Sequence, residues 1–514
     1  MSRVPGEPES HLPGEILDII FSDENLSQGD LTRLARVSHE WHDAATPLVW
    51  HTIHGLDCFM KLIPDFVWLE RREVQDSAPV AEEEIIPLKL PEEDFNRIYQ
   101  KMRFVKVFIV DMDYADANSD CYEAIAVTLA RRLPPCCLFP NLRSLRFDLC
   151  RHAPLSRLRL IFDVLFTLLL SPNMTSESLE EISMTKSTLA SLEDDHRYTP
   201  QILTAIQKRY VQIEKVDLCI HELPPGDLLA IFGRIDTLRT LELHFGQKVR
   251  ECDLSLVTST SVPKGFASLT TLGLHGLCAP SVTGALRSWH FPNLQSFSVL
   301  PLFRADADQL HGIFLALHDH ASHDTLHQLL IRPLIGRYSP LQMHHIEILA
   351  AFRHLTHVAL NATLGVLLTD HEHEQVASWW PDIELLEFNT ATIYDLSLYQ
   401  EDTPAKLEAL VHYARLCPRL RELCIPLTLP PSALKSPPSA PEYRPSSHPL
   451  SRLYVGDSPL DENCVEQTTE FLRQLFPNLA HIDFDEDEWS VTWLDVRRAL
   501  AEESPEYIVE VAKA

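Results

Sequence analysis

The chain has 514 residues, 45% of them hydrophobic and 23% charged, which is the balance of a folded protein rather than a disordered one. That length exceeds one ordinary core, so a small domain followed by a large one, or an array of repeats, is expected. A formal net charge of −29 argues against a nucleic-acid backbone or an anionic membrane as the main partner.

The opening "MSRVPGEPES" has no apolar core, so no secretory signal is expected. The most hydrophobic stretch, residues 157–171, is too short to span a bilayer and carries Arg159 and Asp163. Eleven scattered cysteines without paired CxxC spacing read as reduced thiols of the cytoplasm or nucleus.

Residues 10–54 predict three short helices. In the first, over 12–21, Pro13 suits the opening turn; Leu12, Ile16 and Ile20 form one stripe and Leu17 with Phe21 a second. Ile19 falls off both, so little of this helix is fit to face water. The second follows Asp30, a good N-cap, with Leu31, Leu34 and Val37 on one face. The third runs from Ser38 to a stop at Pro47, followed by Leu48, Trp50 and Ile53. A unit of about 45 residues is small for a self-sufficient core. Its surplus of large aliphatics and two tryptophans therefore predicts a docking module whose apolar surface a partner protein buries.

"LPGEILDIIF…DLTRLARVSHEWHDAATPLVWHTI" resembles the F-box family, with Leu12-Pro13, Glu15-Ile16-Leu17, Ile20-Phe21, Asp30-Leu31, Leu34, Val37-Ser38, Trp41, Ala45, Leu48 and Trp50 in the family's pattern. The resemblance implies docking onto the Skp-type adaptor of a cullin–RING ubiquitin ligase. The contacts would be Leu12, Pro13, Ile16, Leu17, Ile20, Leu31, Leu34, Val37, Trp41, Leu48 and Trp50.

The remainder repeats itself. "FPNLRSLRF" (139–147), "FPNLQSFSV" (291–299) and "FPNLAHIDF" (476–484) share one skeleton, L-x-x-L-x-L, with variants at 380–388 and 417–425. Looser copies start at Leu179, Ile213, Leu238, Leu269, Leu326, Leu355 and Leu450, and a weak first copy at Met102. Positions 4 and 6 alternate with polar positions 3, 5 and 7, so each copy predicts a short strand buried on one face. Helical periods lie between copies, at 199–210, 305–321, 340–354, 403–416 and 462–475, and the Pro of each FPNL motif ends the helix before it.

Strand and helix alternating without a Gly-rich phosphate turn predict an α/β solenoid of about twelve strand–helix units over 101–514. A doubly wound enzyme would not need a dozen strands of one skeleton. This part resembles the leucine-rich-repeat family, which implies an α/β leucine-rich-repeat solenoid bent into a horseshoe. The long repeats behind an F-box look like the F-box/leucine-rich-repeat proteins abundant in mushroom-forming fungi. The Asn or Cys expected after the strand is matched at Cys150 alone, so no asparagine ladder is expected. Residues 55–100 read as a helical, acidic linker and 426–449 as a disordered Pro/Ser-rich loop.

No catalytic site, metal or cofactor is expected. No P-loop, GxSxG elbow or HExxH occurs. Gly456-Asp457-Ser458 has no downstream D-x-x-H and reads as a turn. The histidines at 318, 320, 323, 327, 344, 345, 371 and 373 read as surface groups, since a metal needs three or four convergent ligands. The resemblance to F-box proteins implies that the chain is the substrate receptor of an SCF-type ubiquitin ligase. The F-box would hold the adaptor and, through it, cullin and RING subunits. An unknown protein target would lie on strand positions 3, 5 and 7, among them Arg146, Asp217, Glu242, His244, Arg332, Glu387 and Tyr454. Acidic residues outnumber arginine at these positions, which favours a basic or polar patch on the target. The alternative is a leucine-rich-repeat interaction scaffold without a ubiquitin role.

Overall fold

A computed structural model describes residues 14–21, 23, 26–55, 62, 92–111, 128, 137–148, 170–171, 175, 177–184, 198–220, 231–245, 265–302, 305–333, 340–360, 365–388, 406–425, 427, 447–456, 458, 460–484 and 490–501. Leu12, Pro13, the stretch 157–169 and most of the 426–449 loop lie outside them. The chain divides into two compact units, Met1–Cys219 and Ile220–Ala514. Among the described residues no helix is long and apolar enough to cross a membrane.

The first unit opens with α1 (Gly14–Phe21), α2 (Gln28–Leu34) and α3 (His39–Val49). Strands β1 (Thr52–His54), β2 (Val107–Asp111), β3 (Ser144–Asp148), β4 (Glu181–Met184) and β5 (Lys215–Ile220) follow, with α4 (Glu92–Met102) before β2 and α5 (Tyr198–Arg209) before β5. Each strand pairs in parallel with the next, in a register that aligns Ile53, Phe108, Leu145, Ile182 and Val216. All five are buried. Such a row follows from the period of two: one face of every copy is apolar, and parallel pairing brings those faces into line.

The second unit carries β6 (Thr240–Phe245), β7 (Thr271–His275), β8 (Ser296–Leu302), β9 (Gln328–Pro333), β10 (His357–Leu360), β11 (Leu385–Glu387), β12 (Glu422–Cys424), β13 (Arg452–Gly456) and β14 (His481–Phe484), again parallel and in sequence order. Its helices are α6 (Ala279–Arg287), α7 (Ala307–His320), α8 (Met343–Ile346), α9 (Asp370–Trp379), α10 (Ala409–Leu416), α11 (Val465–Leu475) and α12 (Ser490–Ala501). These bury one stripe each, for example Leu310, Ile313, Phe314 and Leu317 of α7. The 340–354 period is not one helix but the single turn α8 continued as a 3-10 helix, Glu347–Ala351.

The strand entries obey a rule that fixes the copies. The carbonyl at position 2 of one copy accepts the amides of positions 2 and 3 of the next: Arg143 and Ser144 donate to Lys106, Thr270 and Thr271 to Arg239, and Ala480 and His481 to Ser451. Lys106 and Val107 donate in the same way to His51, at 2.9 and 3.0 Å. The first copy predicted at Met102 therefore starts at Val105, and one more precedes it at Trp50, with Ile53 at position 4. Fourteen strands are described, against about twelve expected.

The FPNL asparagines also have a shared task. Asn141, Asn293 and Asn478 each donate their side-chain amide to a carbonyl two residues before the preceding copy, on Arg103 (2.7 Å), Ala267 (2.6 Å) and His448 (2.9 Å). At the same position of two other copies the tie is an ion pair, Asp382–Arg419 at 3.4 Å. Asparagine thus does link copies, but from the turn before the strand rather than after it.

Candidate functional site

The N-terminal helices form a bundle with a core of Leu17, Phe21, Leu31 and Ala45, against which Leu26, Leu34, Ala35, Trp41, Ala44, Leu48 and Val49 are packed. Phe21 meets the Trp41 ring edge-on, with centroids 5.4 Å apart. The N-cap of α2 is Ser27 rather than Asp30. Asp30 is the third helical residue and closes a capping box, its carboxylate accepting from the Ser27 amide at 3.2 Å and hydroxyl at 2.6 Å. Those bonds from Ser27, with Arg33 nearby, hold the Asp30 carboxyl below the usual aspartate range. Ser38 caps α3 as predicted, accepting from the Trp41 amide. The helix does not stop at Pro47; it runs two residues further, to Val49.

The expected contacts on α1 drew Ile16 and Ile20 from one stripe and Leu17 from the other, and the bundle separates the two. Leu17 and Leu31 are inside its own core, so they support the surface rather than form it. Leu34, Trp41, Leu48 and Trp50 are half-buried. The residues left exposed are Ile16 (42%), Ile20 (37%), Val37 (63%) and Ile19 (72%). Ile19 was absent from the expected contacts; its signal was its failure to join either stripe of an otherwise apolar helix. Exposed isoleucines one turn apart on a short helix are a surface that water does not favour.

The bundle leads directly into the strands. Two residues separate α3 from β1, and Gln28 at the start of α2 donates its side-chain amide to the Val49 carbonyl at 2.8 Å and the Thr52 carbonyl at 3.5 Å. The first strand thus precedes residues 55–100, most of which lie outside the described residues. Gly55 already donates to Ile109 of β2, and α4 lies between two adjacent strands.

On the polar strand face of the first unit, Ser144 donates to Glu181 Oε2 at 2.6 Å, Arg146 Nη2 approaches the same oxygen at 2.9 Å, and Lys215 Nζ lies 2.8 Å from Oε1. Burial pushes the Glu181 carboxyl up, but bonds from Lys215, Ser144 and Arg146 outweigh it and leave the group below the usual glutamate range. On the face of the second unit, Arg332 of β9 reaches Glu387 of β11 at 3.0 Å, above buried Ala359 of the strand between them. Arg452 pairs with Asp483 at 2.5 Å. Glu387 and Asp483 are thus matched by arginines across strands, whereas the partner of Glu242 is His275. His244, expected on an open face, is buried and stacked on His275, ring centroids 4.5 Å apart. Tyr454 is half-buried, and Asp217 is shielded too.

Ser458 has the geometry of a turn. Its hydroxyl accepts the Leu427 amide at 2.7 Å and donates to the Val455 carbonyl, and its own carbonyl accepts Trp493 Nε1 at 2.7 Å. His373 differs from the expected surface histidine: it is buried in α9 against Tyr413 of α10, Nδ1 to Oη 2.7 Å. His345 is buried as well, its Nδ1 accepting the Gln342 amide at 3.0 Å. Among the described residues no three His, Cys, Asp or Glu side chains converge as a metal site.

Residues 10–55 match the F-box-like family model. No curated protein matches the chain. Among solved structures, a chain from the crystal structure of the Rad7 and Elc1 complex in yeast aligns at 13% identity, over 93% of this chain and 89% of that one, with a TM-score of 0.35. At that TM-score the architecture rests on the strands themselves.

Proposed function

We propose, from the F-box-like segment at residues 10–55, that this protein is the substrate receptor of an SCF-type ubiquitin ligase. The observation that carries the reading is the exposed apolar surface of α1, Ile16, Ile19 and Ile20, on a bundle whose core is already complete without them. A Skp-type adaptor covers that surface and links the chain to cullin and RING subunits, in the cytoplasm or nucleus. The parallel strands and their helices form a leucine-rich-repeat solenoid whose polar strand positions hold the target protein. Bond making belongs to the conjugating enzyme; this chain supplies proximity.

Because β1 is both the tail of the bundle and the first strand of the first unit, the bundle joins the strands of that unit without a tether. The scaffold alternative expects the N-terminal helices to leave no apolar stripe exposed, and Ile19 at 72% exposure speaks against it. The test is co-purification of the full chain with a Skp-type adaptor, against an Ile16→Glu/Ile19→Glu variant. Both side chains face solvent, so the variant keeps its fold and loses the adaptor. A folded wild-type chain that does not bind the adaptor refutes the receptor reading.

A further inference from the structure

Three carboxylates on the strand faces are matched by cations: Glu181 by Arg146 and Lys215, Glu387 by Arg332, Asp483 by Arg452. Glu242 of β6 is held differently. Its partner is His275 of β7, Nε2 to Oε2 2.6 Å. The other ring nitrogen, Nδ1, accepts the Leu300 amide at 2.9 Å and so carries no proton. The single ring proton is therefore on Nε2 and is donated to Glu242. A neutral imidazole orients the carboxylate without cancelling its charge. With both nitrogens engaged, His275 is not available as a general base.

The strand is built around this pair. A Cβ on Gly273 would lie 1.6 Å from Glu242 Oε2 and 2.5 Å from His275 Nε2, so only glycine leaves the space they occupy. His244 stacks on His275 at an interplanar angle of 14° and closes the back. The His275 side chain is 5% exposed, whereas Glu242 keeps 22% of its side chain open. The result is a carboxylate fixed from behind, still negative and open in front, in surroundings where a charge-assisted bond is stronger than in bulk water.

We propose that the Glu242–His275 pair is the binding site for a lysine or arginine side chain of the protein held on this strand face. The proposal rests on the reading of that face as the target surface. Charge complementarity selects the occupant: one oriented anion, with a neutral donor behind it, suits one cation.

The experiment is a titration of the full chain, labelled with ¹⁵N-histidine, by n-butylammonium chloride as the lysine-like probe. Sodium chloride at equal ionic strength and n-butanol, the uncharged analogue, are the controls. A His275→Gln variant assigns the ring signals. The expected result is a saturable shift of the His275 ring nitrogens with n-butylammonium alone, lost in Glu242→Gln. No saturable shift, or an equal response to n-butanol, overturns the proposal in the wild-type chain, whatever the variant does; an undiminished response in a folded Glu242→Gln chain overturns it as well. The titration uses neither adaptor nor target. Its failure leaves the receptor reading standing, and failure of adaptor docking leaves the site standing.

Discussion

His373 is buried with Tyr413 as its hydrogen-bond partner, and its Nε2 has no partner. Protonation would put a charge and a second N–H where nothing accepts it. Burial, with His412 nearby, accordingly holds its pKa down at about 3, against 6.5 for the free side chain. The folded state thus stays neutral where the unfolded state takes up a proton. Full stability is present above about pH 6.5 and falls by about 1.4 kcal/mol per pH unit below it, until the folded pKa is reached. Between pH 7.5 and 5.0 the loss is about 2 kcal/mol. Unfolding of a chain of this size is not expected to be two-state, so the opening free energy of α9 and α10 is better read locally, by amide hydrogen exchange. A His373→Leu/Tyr413→Phe variant keeps the volume and the other histidines. Its opening free energy should show a pH dependence smaller by about 2 kcal/mol over that range. Equal pH dependence in the two proteins would refute the reasoning.

Leu17→Ala removes a side chain from the core of the bundle and should cost about 2–5 kcal/mol, melting the N-terminal helices in circular dichroism while the strands of the second unit keep their exchange protection. Asn293→Ala cuts one tie between copies and should lower the opening free energy of the Leu269 copy by about 1 kcal/mol in amide hydrogen exchange; unchanged protection of that copy would contradict the link. Gly276→Ala should be worse than an ordinary surface change. Its φ is +83° and a Cβ would sit 2.5 Å from the Phe245 carbonyl oxygen, so a loss of about 1–3 kcal/mol in thermal unfolding is expected.

The repeating skeleton was legible because it depends on local alternation: Leu142, Leu145 and Phe147 announce a one-sided strand wherever they stand. The first two copies were harder for the same reason. Met102, Val105 and Val107 fit the skeleton as well as Val105, Phe108 and Val110 do, and Met102 is buried as the last residue of α4. β1 has a single buried apolar residue in its three and lies in what reads as the tail of the helical bundle. α6 carries Pro280 and Gly284, which mask its period. In the docking bundle, periodicity found both stripes of α1 but could not say which one faces the bundle's own core. The strand faces were the least legible. Arg146 with Glu181, or Glu242 with His275, stand on neighbouring strands far apart in sequence, and charge counted by position cannot show which neighbour a carboxylate meets.

The central claim is that a Skp-type adaptor covers the exposed apolar side of α1. Hydrogen exchange of the full chain, with and without the adaptor, tests it directly. Slowed exchange is expected over Gly14–Phe21 and around Val37, with the amides of β6 to β14 unchanged. An adaptor that leaves α1 exchanging as in the free chain would contradict it.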